Sequence, residues 1–134
     1  MEQDKLTLVA EPRATLSSGS IRLYGQLLPS PLGEGLVGCI DLYAYDPLNR
    51  RCAVGIMVAN EYRRQGYALA MLNELSHLSP LTFHLHSLYA DIAAPNNASL
   101  ALFKKAGYTQ CGHFKEWLEL DSHFIDNIRM QKIL

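Results

Sequence analysis

Cysteine is scarce in this chain of 134 residues: only Cys39, Cys52 and Cys111. Their odd number, with no C-x-x-C spacing, excludes a disulfide framework and a thiolate zinc site. Cys39 and Cys52 sit in apolar strand-like runs, which predicts buried free thiols. No apolar run approaches the roughly 20 residues of a membrane-spanning helix. The start, MEQDKLTLVAEPRATL, has no basic segment leading into an apolar signal core. These absences predict a soluble cytoplasmic protein. A formal net charge of -1 excludes bulk attraction to nucleic acid or anionic membrane, so a charge-driven site must be local. Of the five histidines, His84 and His86 are two apart, but no third ligand stands at a diagnostic spacing. No metal site is expected.

What is present is an ordinary globular composition, 49% hydrophobic and 19% charged, of a length suited to one domain over 1–134. Strand-like runs stand at 5–10, 21–28 and 36–45, separated by the loop-like EPRATLSSGS and the turn-like PSPLGEG. A hairpin turn at DPLNR leads into CAVGIMVA (52–59), apolar enough for burial on both faces. Ala68, Leu69, Met71, Leu72, Leu75 and Leu78 recur at helical spacing, and SPLTF is expected to break that helix. A strand at 86–93 precedes NNASLALFKKAGY, a helix with polar residues at its start and a glycine stop at Gly107. The remainder predicts two antiparallel strands turning near Leu120–Ser122, with Trp117 and the tyrosines as core or pocket walls. This order implies a mixed α/β or α+β fold.

One stretch stands out in so neutral a chain. VANEYRRQGYALAMLNEL places Arg63, Arg64 and Gln65 where a helix begins, with Gly66 between. A helix start presents backbone N–H groups without intrahelical partners and carries partial positive charge, which suits an anion. Gly66 lets that anion approach the main chain, and the arginines add charge-assisted bonds. The stretch is not a Walker loop, and no G-x-G-x-x-G occurs. Alone, it reads better as a helix start with two solvated arginines.

Taken together, VGIMVANEY, the RRQGYA loop, its helix, LYADI and NNASLALFKKAGY resemble the GNAT superfamily of N-acetyltransferases. The loop matches R/Q-x-x-G-x-G/A, and Asn96, Ser99, Leu102, Phe103, Lys105, Gly107 and Tyr108 match the second family segment. The likeness runs from about Leu36 to Leu134, nearest to the spermidine/diamine and ribosomal-protein branch. It implies a GNAT-like fold, a mixed, largely antiparallel sheet flanked by helices. Acetyl-CoA is implied as co-substrate, with acetyl transfer to a primary amine of a polyamine, small amine or peptide. The fourth strand is implied to carry a bulge and to splay from the fifth, so that Ile56, Met57 and Val58 meet the pantetheine arm. Arg63, Arg64, Gln65, Gly66, Tyr67 and Ala68 are implied at the pyrophosphate. Asn96 and Ser99 belong to the segment flanking the cofactor, Phe103 is implied beside the thioester, and Lys105 at the phosphates.

Two departures qualify the likeness. The usual acid is a tyrosine where this chain has Phe103, which donates no proton. The usual two helices before IRLYGQLL have no room here. Either a partner subunit supplies that wall, as in a homodimer, or the site stays open to a large substrate. Strand parity puts Cys39, Asp41, Tyr43 and Tyr45 on one face. Asp41 and Tyr43 are the catalytic candidates, Asp41 either as base and amine ligand or as a structural hydrogen-bonding group. The alternative reading is a catalytically weak or inactive acetyl-CoA-binding domain.

Overall fold

Alternating apolar side chains build the core. The computed structural model describes residues 5–28 and 35–134. Ile21, Leu23 and Leu27 of β2 (Ile21–Leu28), Ile40 and Leu42 of β3 (Leu36–Asp46), and Cys52 and Val54 of β4 (Arg51–Val58) are all buried on one sheet face. Leu88, Ala90 and Ile92 of β5 (Ser87–Ala93) and Ile128 and Met130 of β7 (His123–Ile133) continue that face. With β1 (Lys5–Ala10) and β6 (Thr109–Leu120), the strands form one sheet in the order β1-β2-β3-β4-β5-β7-β6. Neighbours are antiparallel except β4 and β5.

Helix α1 (Tyr67–Thr82) lies on the buried face, where Met71, Leu72 and Leu75 are fully buried and Met71 packs over Gly25. Helix α2 (Asn97–Lys105) packs beside α1 and adds Phe103 to the same core. The opposite face carries no helix among the described residues. Residues 11–20, between β1 and β2, hold a single 3-10 turn at Leu16–Ser18, capped by Thr15. The helix pair expected to be short is therefore absent between these strands.

Several expectations change: Cys39 is only half-buried, and β4, expected to be buried on both faces, leaves Met57 65% exposed. α1 does not stop at SPLTF but runs through Pro80 to Thr82. Pro80 falls in the last turn with its ring exposed, while buried Ser79 and half-buried Leu78 hold the helix to the core. The chain reverses only at His84, in a left-handed conformation. The bulge expected in the fourth strand lies in the third: β3 and β4 pair without a break from Gly38–Val58 to Tyr43–Ala53, then shift before Asp46–Arg51. Asp46 anchors that hairpin by accepting from the Asn49 backbone and side-chain amides and pairing with Arg51 at 3.1 Å, so β3 must absorb the one extra residue. Ala44 takes φ +51° there, and Tyr45 turns to pack against the core instead of joining Asp41 and Tyr43. Trp117 is 64% exposed, because the β6–β7 hairpin runs on past the end of β5. Of the turn expected at PSPLGEG, residues 29–34 lie outside the described residues.

Candidate active site

β4 and β5 pair only through Arg51–Ser87, Cys52–Leu88 and Ala53–Tyr89. Beyond that the strands part, and the facing main-chain edges from Val54 and Ala90 onward have no ladder partner across the gap. The chain leaves β4 through a short 3-10 turn at Asn60–Tyr62 and enters α1 at Gly66, whose φ of +83° gives the helix a left-handed N-cap with no capping side chain. Arg64 is also left-handed, at φ +63°. Two such residues in three curl the loop so that successive amides turn inward.

Those amides are free. Among the described residues, the N–H groups of Arg64, Gln65, Gly66, Tyr67, Ala68 and Leu69 find no acceptor, and the helix ladder starts with Ala70 N–H donating to Gly66. They border a cavity of ≈ 390 Å³ lined by Val58, Arg63, Arg64, Gly66, Tyr67 and Ala68 on one side, and by Ala98, Leu102 and Lys105 of α2 on the other. Three cations and no carboxylate line it. Arg63 Nε donates to the Val58 carbonyl (3.2 Å), tying the loop to the end of β4, and Gln65 Nε2 donates to the Glu61 carbonyl (3.0 Å). Gln65 thus braces the loop with its side chain and does not itself line the cavity. The donor set fits a pyrophosphate: a row of amides, a helix start and flanking cations.

The other expected cofactor residues are placed differently. Ile56 and Met57 lie on β4 beside the gap, Met57 on the helix-free face. Asn96 caps α2, its Oδ1 accepting from the Ser99 backbone N–H at 3.1 Å. Phe103 is buried, edge-on to Tyr108 with ring centroids 4.9 Å apart, and does not line the cavity. Tyr62, Leu69, Ala98 and Leu102 line it without having been expected. The spacing of Ala98, Leu102 and Lys105 along one helical stripe was the available signal for two of them; Tyr62 offered none.

Asp41 and Tyr43 stand on the helix-free face. Arg22 of β2 grips Asp41 with two bonds, Nε–Oδ1 2.7 Å and Nη2–Oδ2 2.9 Å, and holds its carboxyl below the usual carboxylate range. Tyr43 lies against Gly55, and partial burial followed by the charge of Asp91 pushes its phenol up, so it is neutral near neutral pH. Arg22, Asp41, Tyr43 and Gly55 border a cavity of ≈ 430 Å³. Across the gap, Arg129 of β7 holds Asp91 of β5 at 2.8 and 3.0 Å and stacks over Tyr89, its guanidinium carbon 4.6 Å from the ring centre. Buried Asn127 adds a third bond to Asp91.

Asp91 therefore has its carboxyl lowered, first by the Arg129 hydrogen bonds. A carboxylate depressed on folding stabilises above its unfolded value of about 3.9 and loses that stabilisation as pH falls through the folded value. Asp91→Asn is expected to lower the urea midpoint at about pH 7, and the gap to the parent chain is expected to narrow by about pH 3. Midpoints at the two pH values check this; a gap independent of pH would contradict it.

Residues 14–109 match the family model described as Acetyltransferase (GNAT) domain, which is more than half of the chain. The chain belongs to the GNAT acetyltransferases. This GNAT chain is 25% identical over 97 residues to the spermidine N(1)-acetyltransferase of Vibrio cholerae, covering 72% of this chain and 56% of that relative. It thus spans a little over half the length of that curated relative. Its fold resembles the spermidine N-acetyltransferase of Vibrio cholerae solved in complex with CoA and spermine, at a TM-score of 0.78 and 21% identity, covering 87% of this chain and 67% of that one. A chimera of the Vibrio cholerae enzyme SpeG with hSSAT gives a TM-score of 0.77 at 22% identity, over 87% and 68% of the two chains. At this identity the structural likeness speaks for the GNAT fold alone. The mixed sheet is the fold class read from the residues, and the splay after Ala53–Tyr89 is the one the family resemblance implied.

Proposed function

We propose that this GNAT chain transfers an acetyl group from acetyl-CoA to a primary amine, within a complex that holds both substrates. One observation carries the reading: residues 64–69 hold six consecutive free N–H groups, and all of these residues but Gln65, with Arg63 and Lys105, line a cavity built by both family segments. Acetyl-CoA supplies an acyl thioester. The loop amides hold its pyrophosphate, and the unpaired edge of β4 at Ile56–Val58 offers main-chain groups to the pantetheine amides. A backbone N–H at the same edge polarises the thioester carbonyl.

The amine is acetylated only as the free base, and an ammonium has a pKa of about 10, so a proton must first leave it, passing to solvent water. Asp41, paired with Arg22, is a weak proton acceptor and serves better to hold the ammonium near the gap. Tyr43 keeps its proton at neutral pH and is the group we assign to return one to the leaving thiolate. The acceptor class spans polyamine, small amine and peptide amine, and no nucleic acid is expected, since the net charge is near zero. No helix among the described residues is long and apolar enough to cross a membrane, which supports the cytoplasmic reading. A homodimer, with the second copy walling the acceptor side, belongs to this proposal because no helix among the described residues walls the face carrying Asp41.

Phe103 favours a second reading. It is packed into the core and offers no proton where the family's tyrosine would, as in a chain that binds acetyl-CoA without turning it over. Thiol release separates the two. With acetyl-CoA and a panel of polyamines and basic peptides, amine-dependent release of free CoA is expected. Tight acetyl-CoA binding with no release above background would establish the binding domain instead.

A further inference from the structure

Glycine in the interior of a strand weakens it, so each one calls for a reason. Gly25 has one: a Cβ there would press on Met71, 2.9 Å from its sulfur. Gly38 has one, since a Cβ would run into the Met57 carbonyl oxygen, and at Gly112 a Cβ would crowd the Phe114 ring at 3.3 Å. Gly55 has none. Its φ is not in the left-handed region, and a Cβ would meet only Tyr43 Cε1 at 3.8 Å, an ordinary contact. Tyr43 shields one side of Gly55, which lowers the cost of the missing side chain without requiring it.

Position explains what packing does not. Gly55 pairs with Asp41, which pairs with Arg22, while Asp91 pairs with Arg129. Gly55 and Asp91 each stand two residues beyond the last β4–β5 pair, Ala53–Tyr89. One row across the helix-free face thus runs Arg22, Asp41, Gly55, Asp91, Arg129, with the empty place where the strands part. Each carboxylate is held on its outer side by an arginine, and the cavity beside Asp41 opens at Gly55.

We propose that Gly55 determines acceptor specificity: its missing side chain leaves a lane, bordered by Asp41 and Asp91, through which an unbranched primary amine reaches the gap between β4 and β5. The inference rests on the acetyl-transfer reading and narrows it. A lane one side chain wide admits an amine carried on a methylene, as in a polyamine or a lysine side chain. It rejects an amine on a branched carbon, as in a peptide α-amine.

The probes are spermidine and a spermidine methylated at the carbon beside each primary amine, compared in the parent chain, Gly55→Ala and Gly55→Val. The parent is expected to favour spermidine by about tenfold or more in kcat/KM, the scale of one misplaced methyl group. Gly55→Ala is expected to lower kcat/KM for spermidine about tenfold and Gly55→Val further, while acetyl-CoA Kd stays unchanged. Both variants gain strand propensity, so Tm is expected to hold or rise and lost activity is not lost fold. Unchanged kcat/KM in Gly55→Val, or equal use of both probes by the parent, would overturn the lane while leaving acetyl transfer standing. Weakened acetyl-CoA binding in the variants would also overturn it, by placing Gly55 on the cofactor side. A parent that binds acetyl-CoA but releases no CoA with either probe would overturn the transfer reading, and the lane with it.

Discussion

Replacing Gly66 with glutamate is expected to abolish acetyl-CoA binding while the fold survives. The residue is exposed, and a Cβ there meets nothing within 4 Å, so no neighbour is displaced. The φ of +83° adds a backbone cost of about 1–2 kcal/mol, which a 134-residue domain tolerates. The carboxylate, however, occupies the space that the free amides of residues 64–69 surround, and it brings the charge of the intended ligand. Local amides and the nearby arginines would then be satisfied from within the chain. Acetyl-CoA Kd is expected to rise at least about a hundredfold, equivalent to roughly 2.7 kcal/mol, with the far-ultraviolet circular dichroism unchanged. Calorimetry showing parental affinity would sink the cradle.

Gly38→Ala is expected to produce the largest loss of stability. Gly38 pairs with Val58 on one side and Gly25 on the other, beside the register shift between β2 and β3. An added methyl group meets the Met57 carbonyl, which belongs to main chain and has no rotamer to escape into. Overpacking of this kind costs about 3 kcal/mol, or a Tm lower by roughly 10 °C. Gly25→Ala makes the internal comparison: the atom it meets is Met71 sulfur, on a flexible side chain, so its penalty is expected to be visibly smaller. Thermal melts of the two variants side by side decide it. Because Met57 and Val58 lead into the loop, Gly38→Ala is also expected to weaken acetyl-CoA binding.

The loop of the candidate cofactor site stood out in the sequence because it is contiguous. Residues 63–68 are neighbours along the chain, and a helix start displays its amides whatever packs behind it. The proposed acceptor half shows in the sequence only in pieces. Arg22, Asp41, Gly55, Asp91 and Arg129 come from five strands, and only the sheet register brings them into one row. Asp41 and Tyr43 were found through parity, but parity fails at the first bulge, as Tyr45 shows. Pro80 misled because a breaker is judged by its neighbours in sequence, whereas buried Leu75 and Ser79 hold that turn from the core. Phe103 was read as a substitution at the thioester. Its packing on Tyr108 shows it also as a core residue, under a constraint unrelated to proton transfer.

The bare side of the sheet separates two kinds of selection. Core residues point toward α1 and α2, whereas Arg22, Tyr43 and Met57, all exposed, point away from them, where little else leans on their volume. Substitutions on that side leave the packing intact, and several made together do not compound one another through a shared interior. Preference for one amine over another can therefore drift, or be redirected in a combinatorial library over those positions, with no matching loss of folding free energy. The proposed hold on acetyl-CoA, at the start of α1, stays constant while it does so.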